Sequence, residues 1–263
     1  MTAGVPIVRP RLRGLAAERI FVGRALRHSF RDVESMLMSI ILPVTLMLMF
    51  TYVFGGAMDP TGGYVDWVVP GIILTCSGFG ASTTASFVAN DMRQGIIDRF
   101  RTMPLRSGAV LTGHVVASLL RNLLSTGIVL AVAVAIGFRP EADLGGWLAA
   151  TGIVALWILA ITYLFAAIGL ASGSPEAASG YGFALLFLPY LSSGFVPLDT
   201  LPDWLRPVAE FQPATPVSDA IRAALLGTDA GSQPLWAALW CTGILLIAAI
   251  WGSWQFGRQA GRR

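Results

Sequence analysis

Lysine is absent from this 263-residue chain, and all 18 basic residues are arginine. That excludes a phosphate-binding loop of the G-x-x-x-x-G-K-[ST] type and any enzyme working through a lysine Schiff base, so the chain has no P-loop route to ATP hydrolysis. Charge of either sign is scarce, at 13% of residues, against about 25% in a soluble domain. Cysteine and histidine number two each. Cys76 and Cys241 lie in apolar runs with no C-x-x-C spacing, and His28 and His114 have no second ligand at helical spacing, so all four read as structural and no metal site is expected. The 29 glycines and 15 prolines form no Gly-X-Y repeat or low-complexity tract, which excludes collagen and disorder. What remains is apolar: 55% of residues are hydrophobic and the mean hydropathy is +0.68. The solvent of this chain is a bilayer.

A hydrocarbon core about 30 Å thick takes roughly 20 apolar residues per helical crossing. Six stretches meet that demand: 36–54, 67–88, 114–138, 147–170, 177–196 and 235–256. The first is too long and too deep in the chain for a signal peptide, and no A-x-A cleavage pattern follows it. Only the third carries a charge, Arg121, about two turns in, where a long side chain can snorkel to the interface or pair with a neighbouring helix, snorkelling being favoured over an ion pathway. With the amino terminus inside, seven arginines precede the first span, four lie between the second and third, and three close the chain, against Arg139, Arg206 and Arg222 outside. Fourteen against three places both termini in the cytoplasm of a multi-pass plasma-membrane protein. The fold class is therefore all-α, a single transmembrane domain over 1–263 with a six-span bundle at 36–256.

Three non-spanning segments carry information. At 10–34, Leu15, Val22, Leu26, Phe30 and Val33 recur at helical spacing while Arg24, Arg27 and Arg31 take another face, an amphipathic interface helix whose arginines suit either anionic lipid or an acidic protein surface. At about 90–104, Asp91 and Asp98 mix with Arg93, Arg99, Arg101 and nearby Arg106, while Ile96, Ile97 and Phe100 form an apolar ridge ended by Pro104. A solvated connector needs no such ridge, so this short helix reads as a docking surface for a soluble protein. At about 197–228, five prolines break a half-apolar stretch into pieces expected to dip into the outer leaflet as short re-entrant helices.

Polar groups inside the spans are uncharged apart from Arg121. The second span holds Thr75, Ser77, Ser82, Thr83, Thr84 and Ser86 with Gly78 and Gly80; the fifth holds Tyr181, Tyr190, Ser192 and Ser193 around Pro189. Such residues serve helix packing, or they line a path for an amphiphilic solute. No Asp, Glu or His stands mid-span, which argues against a proton-coupled pump. No paired carboxylates, Ser-Lys pair or metal set supports an intramembrane enzyme.

Several stretches resemble the type-2 ABC exporter permeases, and within them the daunorubicin-resistance-like drug-efflux branch. They are TLMLMFTYVFGGAM closing the first span, VVPGIIL opening the second, DMRQGIIDRFRTMPLRSGAVLTG after it, and LPDWLRPVAEFQPATPVSDAIRAALLG before the last. With the six-span layout the resemblance covers essentially the whole chain. It departs at Arg31-Asp32-Val33, where the family often has a proline after the acidic residue, and at Gln94, where a basic residue is common.

The resemblance implies a permease subunit, itself without cofactor, driven by two copies of a separate ATPase that binds ATP and magnesium. A second permease subunit, this chain or a paralogue, completes it in membrane lipid, and no nucleic acid takes part. The coupling helix would use Asp91, Arg93, Gly95, Ile97, Asp98, Arg99, Phe100, Arg101 and Pro104. The second and fifth spans would face the path, with Phe79, Ser82, Thr83, Phe187, Tyr190 and Ser193 as lining residues, and the first and fifth would meet across the dimer. The cargo expected is hydrophobic or amphiphilic; a polysaccharide or lipid-linked cargo on the same fold, or a passive channel, stays open.

Overall fold

The computed structural model describes residues 33–59, 62–94 and 109–259, and among these it contains helices and turns without a strand. The expected amphipathic helix at 10–34 lies, but for its last two residues, outside the described residues. Helix α1, Val33–Leu48, runs on through a π-helical segment, Met49–Phe54, into a final turn, Gly55–Met58. Then follow α2 (Tyr64–Arg93), α3 (Ala109–Ile136), α4 (Leu144–Ala171) and α5 (Pro175–Leu185). Two 3-10 turns, Leu188–Leu191 and Leu198–Thr200, lead to α6 (Arg206–Phe211), α7 (Ala214–Leu226) and α8 (Gln233–Gln259).

Five helices are long and apolar enough to cross a membrane: Met36–Met58, Tyr64–Arg93, His114–Ile136, Leu144–Ala171 and Gln233–Gln255. The continuous fifth span expected at 177–196 is not formed. Helix α5 has only 11 residues, and the chain then tightens into the 3-10 turn at Leu188–Leu191 before turning at Ser192. Pro189 supplies the reason: it lacks an N–H and disfavours the α conformation in Leu188 before it. The Ser192 hydroxyl donates to the Pro189 carbonyl at 2.5 Å and its backbone N–H to the same oxygen at 3.1 Å, which ends the helix there.

Helix α2 is the centre of the bundle, packed by α1, α3, α4, α5 and α7. Lipid is as apolar as a leucine side chain, so helices in a bilayer associate through close contact and polar bonds, and small residues permit the contact. A Cβ on Gly71 would sit 2.6 Å from the Gly194 carbonyl oxygen. One on Gly169 of α4 would sit 2.5 Å from the carbonyl oxygen of Ala85. The core around α2 is filled by Val68, Ile72, Leu74, Ile158, Phe195 and Ile221, all buried. Trp157 of α4 adds a directed bond, its indole N–H donating to Ser77 at 2.9 Å.

Helix α8 shows the opposite pattern. It packs on α4 and α7 along one side and leaves Leu235, Trp236, Leu246, Ile247, Ile250 and Trp254 exposed. Tryptophan stands near both ends of this lipid-facing helix, the positions favoured at the two membrane interfaces. Helix α7 is covered instead, burying Ala214, Val217, Ile221 and Leu225. It stops at Gly227, whose φ of +66° is the left-handed closure that glycine adopts without penalty.

Gly71→Ala is expected to lower stability by about 1–3 kcal/mol, because the new methyl meets backbone on the far side and neither backbone can give. Gly152→Ala, on α4 with open space around it, is expected to stay within about 0.5 kcal/mol. Thermal unfolding of the two variants in one detergent checks the difference.

Candidate functional site

Between Phe79 and Asn90, α2 leaves one stripe half exposed: Phe79, Ser82, Thr83, Ser86, Phe87 and Asn90, spaced by three and one. That spacing keeps them on a single helical face while Gly80, Ala81, Thr84, Ala85, Val88 and Ala89 are buried. Helix α5 borders the stripe. Ser86 and Ser179 share a hydrogen bond of 2.7 Å, and Ser82 Oγ lies 3.4 Å from where a Cβ on Gly182 would stand. Beyond α5 an aromatic chain continues from Phe183 to Phe187 (5.3 Å between ring centroids), Tyr190 (6.2 Å) and Phe195 (4.7 Å), and ends on Phe50 of the π-helical segment (5.0 Å). Of the expected path residues, Phe79, Ser82 and Thr83 lie on the stripe and Phe187 and Tyr190 on the aromatic chain. Ser193 is elsewhere, buried against the outer helices.

Behind the stripe stands Arg121. Sequence favoured snorkelling; the structure buries the side chain at 2% exposure on the bundle side of α3. Its Nη2 donates to the Gly80 carbonyl at 2.8 Å and to the Thr83 hydroxyl, and its guanidinium carbon lies 5.6 Å from the centre of the Phe87 ring. Thr83 donates to the same carbonyl at 2.8 Å. A charge within a span finds its partners in the bundle interior, and an otherwise helix-bonded carbonyl with spare acceptor capacity is such a partner. Ser118 accepts from Thr84 at 2.8 Å and from Asn122 at 3.1 Å, which completes a polar seam between α2 and α3.

A second polar cluster closes the far end of α2. Arg222 of α7 donates to Asp219 at 2.6 Å, to the Ser193 carbonyl at 2.6 Å and to the Trp67 carbonyl at 3.1 Å, with its guanidinium carbon 4.1 Å above the Trp67 ring. Ser193 Oγ donates to Asp219 at 2.6 Å, and Tyr64 donates to the Phe195 carbonyl at 2.7 Å. Burial pulls the Arg222 pKa down from its ordinary value, and the neighbouring Asp219 opposes that shift. Sequence counted Arg222 only as an outer-loop charge. The signal was the i, i+3 spacing of Asp219 and Arg222 in VSDAIR, which aligns the two on one helical face.

At the opposite end, His114 Nε2 lies 3.1 Å from Asp91 Oδ2, joining the last turn of α2 to α3 on either side of the expected coupling helix. Arg93 closes α2, and the Glu176 carboxyl at the start of α5 is held below its usual range, by the Ser174 hydroxyl first and with a smaller contribution from Arg93. Gly95, Ile97, Asp98, Arg99, Phe100, Arg101 and Pro104 lie outside the described residues.

Five helices long and apolar enough to cross a membrane, packed around a hydroxyl-faced, aromatic-flanked stripe, place the chain among polytopic membrane proteins. The chain belongs to the ABC-2 type transporter family, whose profile matches residues 18–226. It is similar to the daunorubicin resistance ABC transporter permease protein DrrB1 of Streptomyces coeruleorubidus, at 29% identity over 84% of this chain and 76% of that protein. It is also similar to the probable doxorubicin resistance ABC transporter permease protein DrrC of Mycobacterium tuberculosis strains CDC 1551 / Oshkosh and ATCC 25618 / H37Rv, at 26% identity over 89% of this chain and 88% of that protein. The chain is thus an ABC exporter permease, a multi-pass membrane subunit whose ATPase is a separate partner.

Arg222→Leu should destabilise the protein by about 2 kcal/mol or more, since it strips a largely buried carboxylate of its cation and two carbonyls of their donor. Asp219→Asn combined with Arg222→Leu should recover part of that loss. Unfolding midpoints of the two single variants and the double variant give the coupling.

Proposed function

We propose that this permease exports hydrophobic or amphiphilic compounds, drug-, antibiotic- or lipid-like, by alternating access driven by two copies of the partner ATPase, which bind ATP and magnesium. A second permease subunit, a copy of this chain or a paralogue, faces it across the path. The observation that carries the reading is the half-exposed stripe on α2. A helix packed from five directions has one face left partly open, and that face is hydroxyls, aromatic rings and one amide, none of them charged. Weak hydrogen-bonding groups among apolar rings suit a solute that is itself mostly apolar. The drug-resistance names of the relatives support the same class of cargo.

Both termini are cytoplasmic in this proposal, following the arginine count, and the segment from α5 to Phe195 serves as a sixth, broken crossing. Non-helical backbone at that depth is tolerated where protein buries it, and Ser192, Ser193 and Gly194 are buried. Helices α6 and α7 then lie in the outer leaflet. The segment at about 90–104 is the coupling helix, acting through Asp91, Arg93, Gly95, Ile97, Asp98, Arg99, Phe100, Arg101 and Pro104, and the Asp91–His114 contact fixes its base.

Four measurements test this. In a background lacking Cys76 and Cys241, cysteines at Glu141 and Ser232 should react with an impermeant maleimide on intact cells, while one at Gly173 should not; the reverse pattern inverts the orientation. Purified alone, the chain should hydrolyse no ATP and should capture its cognate ATPase. Phe100→Ala should weaken that capture more than reversal of Asp98 or Arg101, since a seated aromatic reaches roughly 2 kcal/mol and an exposed ion pair about 0–1. Phe79→Ala and Phe187→Ala should leave capture intact and change which solutes leave the cell.

A further inference from the structure

A groove of about 360 Å³ opens between the outer helices and the start of α8, separate from the α2 stripe. Trp236, Trp240 and Phe211 wall it, with Glu210 and Asp219 at its polar edge. Trp236 and Trp240 stand one helical turn apart on α8 and so present their rings to the same side. These three aromatics are 53%, 40% and 76% exposed, a large apolar area left open beside acidic groups. The charges around the groove do not cancel. Asp219 is matched by Arg222, whereas Glu210 is exposed and makes no ion pair or hydrogen bond among the described residues.

We propose that this groove binds an organic cation carrying an apolar body, an ammonium or similar group held over the indole faces with its charge toward Glu210. Three observations fit that chemistry and no other class as well. The volume falls in the range of small-molecule sites, about 300–1,000 Å³. Indole is the strongest of the aromatic faces for a cation. Of the two charged residues that line the groove, the one without an ion pair is Glu210, while Arg206 one turn earlier on α6 is turned to the Leu198 carbonyl, so an anionic amphiphile would meet repulsion at the lining where a cation meets attraction. On the export reading above, which supplies only its sidedness, the groove lies at the outer membrane interface. There it can receive a released solute or the ammonium headgroup of a lipid. Trp236 and Trp240 at an interface also suit plain bilayer anchoring, which predicts no saturable site and no preference for charge.

The test uses the full chain in nanodiscs of an uncharged glycolipid, with tetraphenylphosphonium as the cationic probe and tetraphenylborate as its anionic counterpart of similar shape. Tetraphenylphosphonium should quench tryptophan emission saturably, and tetraphenylborate should not. Glu210→Gln and Trp240→Ala should each weaken the cation roughly three- to tenfold, while Trp240→Phe, which keeps a ring, should lose less. Glu210 has no partner to lose, so its variant should fold as the parent does, and size-exclusion profiles check this. Adding phosphatidylethanolamine to the discs separates the sources: a fall in affinity for the probe assigns the groove to the lipid's ammonium, and an unchanged affinity assigns it to a free solute. Equal quenching by the two ions, or unchanged affinity in both Glu210→Gln and Trp240→Ala, overturns the proposal. Neither ATPase nor transport enters the measurement, so it can fail while the exporter reading stands, and the converse.

Discussion

The carbonyl of Gly80 is where the bundle is pinned. Thr83 and Arg121 both donate to it, and the side chain missing at Gly80 is what lets Asn122 of α3 come so near. In lipid no hydrophobic force holds two helices together, and a buried charge that loses its partners meets a medium with no water to replace them. Insertion scales put Arg at a helix centre at about 2.5–3.5 kcal/mol. Withdrawing α3 from α2 would incur that cost and the loss of several hydrogen bonds together. The two helices therefore behave as one rigid piece.

That rigidity assigns motion to other places. On the side of α1 and the fifth segment ring meets ring, from Phe187 through Tyr190 and Phe195 to Phe50, and the polar links of α1 are the Ser39 hydroxyl with Ser125 at 3.2 Å and the Cys76 thiol donating to the Ser39 carbonyl at 3.4 Å, none of them charged. Aromatic contacts of this kind are worth about 0.5–1.5 kcal/mol each beyond their buried area and tolerate changes of angle. The break at Pro189 adds to this freedom. It divides the fifth segment into an inner half tied to α2 by the Ser86–Ser179 bond and an outer half tied to α7 by Ser193 and Asp219. A continuous helix would transmit a tilt along its whole length, whereas this one can tilt in its lower half while its upper half stays fixed.

What sequence could read, and what it could not, divides along range of interaction. Spans one, two, three, four and six are legible because about 20 consecutive apolar residues are a local property. The drug-exporter family is legible because its motifs lie in continuous stretches such as GIIDRFRTMP and VSDAIRAALLG. The fifth segment has the apolar length but not the helix, since its hydropathy says nothing of the Ser192–Pro189 bond or of Gly194 pressed onto Gly71. For Arg121 the sequence leaves snorkelling and pairing with a neighbouring helix both open, because depth along one helix says nothing of partners some 40 residues earlier on another, and the structure shows the pairing. Ser193 looked like a path hydroxyl until Asp219, 26 residues on, was seen to accept from it.

Helix α2 links these parts. Its 30 residues give it a length of about 45 Å. Asp91 at one end touches His114 beside the proposed coupling helix, and Trp67 at the other lies under Arg222. If the ATPase acts at the first end, as proposed, a displacement there would reach the second with little loss, because the helix between is stiff and α3 is fastened to its middle through Arg121. The outer helices ride with it through Arg222 and Asp219 rather than forming an independent lid. On the exporter reading proposed above, access would change where this unit meets α1 and the lower half of the fifth segment, since its polar links to them are uncharged bonds at Ser39 and Ser86. The stripe from Phe79 to Asn90 lies on that border, and its short polar groups and rings lack the interlocking aliphatic side chains that would resist such a motion.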